Sequence, residues 1–113
     1  MRVLYEDLYL ENRNMHAYQV RPVRPRLRLG RLFATPGAID ALRATSVSAG
    51  DLLSRHLRGD WGVLSEEDRK QNELALELGL RVLSCYVLSP NVKVWIITEW
   101  DRSVTTVLLP CDY

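Results

Sequence analysis

LRVLSCYVLSPNVKVWIITEWDRSVTTVLLP, residues 80–110, contains three strand-like runs in succession. Each is rich in β-branched and aromatic side chains, which suit a pleated, half-buried surface. Ser89-Pro90-Asn91 and Asp101-Arg102 separate them and are short enough for hairpins. The stretch therefore predicts a three-stranded antiparallel meander that ends the fold. A first turn over Ser89 to Val92 sets Tyr86 opposite Trp95 and Val82 opposite Glu99. A second turn at Asp101-Arg102 sets Thr98 opposite Thr105. Alternation then gives two faces. One carries Leu83, Cys85, Val87, Val94, Ile96, Val107 and Leu109, with Arg81, Thr98, Trp100 and Thr105 at one end. The other carries Ser84, Tyr86, Lys93, Trp95, Ile97, Glu99 and Thr106. The first is apolar enough to receive helices; the second is half polar and is expected to stay open.

Upstream, punctuation points to helices. Thr35-Pro36 offers an N-cap hydroxyl and a proline at the first helical position, with Ile39 and Leu42 on the buried side of a helix ending near Ala44. Ser48 and Asp51 open a second helix carrying Leu52, Leu53 and Leu57. Gly59 to Gly62 break it. Ser65 opens a third helix with acids in its first turn, an apolar stripe of Leu74, Ala75 and Leu78, and Gly79 as C-cap. The expected fold is α+β: two or three short helices packed on one face of an antiparallel sheet. Residues 27–113 form a single domain beginning with a strand over Leu27 to Phe33. Residues 1–26 are an N-terminal arm or edge segment, in which VLYEDLYL suits an edge strand or a short helix.

Composition bounds the function. A chain of 113 residues supports one modest core. A net charge of +1 supplies no global field toward nucleic acid or membrane. Charge is locally uneven, however: Arg21, Arg24, Arg26, Arg28 and Arg31 stand together with no intervening acid. No apolar run is long enough to span a bilayer, and the acids near the N-terminus do not fit a secretory signal. Cys85 and Cys111 make no disulfide framework, which suits a reducing cytoplasm. No metal or cofactor is expected: the glycines are scattered singly, and His16 and His56 lack partner ligands.

Two groups of residues are candidates for function. Arg55-His56-Leu57-Arg58-Gly59-Asp60-Trp61-Gly62 sets a histidine between two arginines before a glycine-bounded break. That arrangement suits an anion, with imidazole as acid or base. The same residues equally suit a structural role, with His56 capping its helix, Asp60 paired with an arginine and Trp61 anchored in the core. The second group is Tyr86, Lys93 and Trp95 on the half-polar sheet face, able to stack bases or meet a protein. If the N-terminal segment covers that face, both rings are core instead. The expected binding residues are thus Arg55, Arg58, Asp60, Trp61, Tyr86, Lys93 and Trp95.

The pattern LGRLFATPGAIDAL, LLSRHLRGDWG, EEDRKQNELAL, GLRVLS and VWIITEWDRSVTTVLLP, from Leu29 to Tyr113, resembles a family of short bacterial proteins carried on plasmids and integrated elements. The resemblance implies an accessory protein that binds a host macromolecule, a protein or an RNA, without catalysis of its own. DNA binding through the arginine segment ranks lower, and oligomeric state is left open. A more distant similarity, at the level of fold, is to barnase- and colicin-type ribonucleases. It implies metal-independent RNA cleavage with His56 as acid or base and Arg81 or Arg55 on phosphate. Tyr86, Ser84, Thr98 and Thr105 would stand nearby.

Overall fold

The computed structural model describes Arg2–Val3 and residues 25–113. The described elements are β1 (Arg2–Val3), β2 (Arg31–Ala34), α1 (Pro36–Thr45), α2 (Ala49–Leu57), α3 (Glu66–Leu78), β3 (Val82–Ser89), β4 (Val92–Thr98) and β5 (Val104–Leu108), followed by a 3-10 turn over Pro110–Asp112. The class is α+β, with three α-helices among the described residues. Apart from Arg2–Val3 and positions 25 and 26, the arm or edge assignment for residues 1–26 lies outside the described residues.

Each helix begins where local chemistry favours it. Thr35, Ser48 and Ser65 are extended N-caps whose hydroxyls accept from the backbone N–H of Ala38, Asp51 and Asp68. Glu66, Glu67 and Asp68 then lie at the positive end of the α3 dipole, and Gly79 closes α3 in the left-handed conformation. The buried side of α3 differs from expectation. Asn72 and Ala75 face inward, while Leu74 and Leu78 are exposed.

The sheet order is β1-β2-β5-β4-β3. It is mixed rather than antiparallel throughout, because β2 runs parallel to β5, with Leu32 opposite Thr105 and Ala34 opposite Val107. The strand expected from Leu27 begins only at Arg31. Gly30 has φ +66°, and a Cβ there would lie 2.4 Å from the Arg102 and Ser103 carbonyl oxygens. Leu27 and Leu29 are buried even so.

Register differs from expectation in one hairpin. Thr98 does lie opposite Thr105. At the other turn Ser89 faces Val92, but an irregularity between Val87 and Ser89 leaves Leu88 without a counterpart, so Val87 faces Lys93 and Tyr86 faces Val94. A bulge shifts every earlier pair by one residue. Val82, Ser84 and Tyr86 therefore share a face with Val94, Ile96 and Thr98, and this face carries the main core with Leu32, Ala34, Leu42, Leu52, Leu53 and Trp61. Trp95 and Lys93 lie on the opposite face from Tyr86.

The outer edge of β3 is occupied. Asn72 donates from Nδ2 to the Leu83 carbonyl (2.6 Å) and accepts from its N–H at Oδ1 (3.1 Å). The Cys85 N–H donates to the Trp61 carbonyl (3.0 Å), and its carbonyl accepts from Val63 (2.7 Å). A side chain and a loop thus take the place of a further strand. Gly62 makes this possible. Its φ is +76°, and a Cβ would stand 1.9 Å from the Cys85 carbonyl oxygen. Gly62→Ala is expected to cost at least ~2 kcal/mol, from the left-handed backbone and the clash together. Urea unfolding reads the loss directly; an unchanged midpoint would mean the loop does not approach β3 this closely.

Candidate functional site

His56, in the last turn of α2, is fully buried. Its Nδ1 lies 2.5 Å from Ser84 Oγ and its Nε2 2.9 Å from Thr98 Oγ1. Thr98 Oγ1 lies 2.7 Å from Thr105 Oγ1, which donates to the Leu29 carbonyl at 2.7 Å. The proton positions follow by counting. A carbonyl only accepts, so Thr105 spends its hydroxyl proton on Leu29 and must accept from Thr98. Thr98 in turn accepts from Nε2–H, leaving Nδ1 to accept from Ser84. The chain Ser84, His56, Thr98, Thr105, Leu29 is fully satisfied only with a neutral imidazole protonated at Nε2.

Electrostatics agree with this protonation state. Burial, and secondarily the positive charge of Arg102, lower the His56 pKa to about 3. A helix C-terminus favours an imidazolium by up to ~2 kcal/mol, and here loss of solvent outweighs it. His56 does not cap the helix with its ring; it bridges α2 to β3 and β4. A neutral, sealed imidazole is not poised to exchange protons with an RNA substrate near pH 7.

The rest of the RHLRGDWG segment is bound into the fold. Arg55 grips Asp60 through Nε (2.7 Å) and Nη2 (3.3 Å), and its guanidinium lies 4.6 Å from the Tyr86 ring centre. The ion pair, through its hydrogen bonds above all, holds the Asp60 carboxyl below its ordinary range. Tyr86 donates to the Asp60 carbonyl (2.6 Å), and burial pushes its phenol up to about 12. Trp61 is 2% exposed, meets His56 edge-on at 5.8 Å, and donates from Nε1 to Glu73 (3.0 Å). Glu73 also receives Arg26 bidentately (2.6 and 3.2 Å). Arg58 is exposed, with Nε on the Ser54 carbonyl (3.1 Å).

The expected catalytic trio does not converge. His56 and Tyr86 are sealed on the helix-covered face. Arg81 is exposed just before β3, paired with Glu99 (3.2 Å) and donating to the Tyr113 hydroxyl (2.7 Å). Lys93 is exposed and Trp95 half-buried, its ring edge-on to Tyr113 at 5.8 Å. Trp61 and Tyr86, expected as contact residues, are core residues instead. Whether residues 1–20 cover the second face lies outside the described residues.

Sequence reasoning missed a surface at the end of the molecule where α3 meets the β4–β5 turn. Trp100 is 66% exposed there, and Leu74, Leu78 and Leu80 are exposed on α3 and its C-terminal extension. One guanidinium joins the two segments. Arg102 donates from Nη1 to the carbonyls of Leu80 (2.5 Å) and Glu99 (3.1 Å), and from Nη2 to that of Ala75 (2.9 Å). Asp101 Oδ1 accepts from the N–H and hydroxyl of Ser103 (3.0 and 2.6 Å), and the Arg31 N–H donates to the Ser103 carbonyl (2.9 Å). Trp100 therefore stands out from a turn held at several points. Among the described residues no cluster of His, Cys, Asp and Glu could hold a metal ion, and no helix is long and apolar enough to cross a membrane.

No protein-family model, curated protein or solved structure matches this chain.

Proposed function

We propose that this chain is a non-catalytic binding protein, an accessory of a plasmid or integrated element that engages a macromolecule of its bacterial host. The observation that carries this reading is Trp100, a large aromatic side chain displayed on an immobilised turn. Tryptophan leads the residues that dominate interface energetics, and a pre-ordered turn loses little entropy on binding. An accessory role on a mobile element is supported by the pattern running from Leu29 to Tyr113. The sealed, neutral His56 favours binding over RNA cleavage.

The test compares wild-type protein with Trp100→Ser as bait in host lysate, with and without RNase. The expected result is a retained protein that survives RNase and falls about tenfold or more with Trp100→Ser. The variant should melt within about 2 °C of wild type, because an exposed side chain contributes little to stability. Capture indifferent to Trp100 would overturn the reading, and capture abolished by RNase would make the bound macromolecule an RNA rather than a protein.

A further inference from the structure

We draw no further inference here: the strongest candidate, the exposed apolar patch of Trp100 on the β4–β5 turn with Leu74, Leu78 and Leu80 on α3 and its C-terminal extension, belongs to the site already described, and nothing in the structure shows what covers it.

Discussion

Replacing His56 with alanine is expected to destabilise the protein by about 4 kcal/mol or more, a large part of the roughly 5–15 kcal/mol typical of a small domain. Two losses combine. A fully buried ring that packs edge-on against Trp61 leaves a cavity, and large-to-alanine core changes of this kind cost about 3–5 kcal/mol. The Ser84 hydroxyl and Thr98 Oγ1 also lose the partner that lies between them in the fold, each costing roughly 1–3 kcal/mol unless it finds another. The measurement is urea unfolding of wild type, His56→Ala and His56→Gln. Glutamine can accept from Ser84 and donate to Thr98, so it should recover a substantial part of the loss. A phenylalanine fills the volume without the bonds and should recover less than glutamine. If alanine costs under about 1 kcal/mol, the relay is not a structural element and His56 returns as a candidate for chemistry.

What the sequence discloses is chiefly what neighbours decide. Thr35-Pro36, Ser48, Ser65 and Gly79 act through bonds to residues three or four positions away, and the helices begin and end at those signals. The pairing of Thr98 with Thr105 likewise follows from a tight turn. The failures are non-local or depend on one residue. That β2 runs parallel to β5 is decided by how the 69 residues between them pack, which no local period encodes. The bulge at Leu88 slips the first hairpin by one residue, and because side chains alternate, that slip carries Ser84 and Tyr86 onto the face of Val94, Ile96 and Thr98.

The candidate site was misread for the same reason. With the slip undone, Ser84 and Tyr86 fall on an open face, apart from Thr98 and Thr105, and His56 on a rim. With it in place, Ser84, Thr98 and Thr105 align under α2, and a histidine with three hydroxyls becomes a way to satisfy polar atoms within a core. The hydroxyls in otherwise apolar strands were the legible clue, since buried polar groups require partners. On α3 the leucines suggested a buried stripe. Asn72 took an inward position instead because the Leu83 N–H and carbonyl needed an amide there, and this turned Leu74 and Leu78 outward.

Stability should fall as pH drops from neutral to 5, a range where few other groups act. The unfolded chain binds a proton at His56 near the ordinary pKa of 6.5, whereas the folded chain refuses it until about pH 3. The unfolded state therefore holds more protons throughout that window, and acid favours it. Stability is fully present above pH 6.5 and is lost as pH falls, by about 1.4 kcal/mol per pH unit, or about 2 kcal/mol by pH 5. Continued to pH 3 the loss approaches roughly 5 kcal/mol, comparable to the whole stability of many domains this size. Asp60, Glu73, Asp101 and Asp112 are also held below their ordinary values, chiefly by hydrogen bonds, but they lose their contribution only at lower pH. Denaturant unfolding at pH 7, 6 and 5 separates the two ranges. In wild type the stability should decline across the series, and in His56→Gln, with His16 unchanged, most of that decline should vanish. A wild-type stability flat from pH 7 to 5 would mean that His56 ionises within the folded protein, and with it a solvent-reachable imidazole that the Ser84–His56–Thr98 relay does not allow.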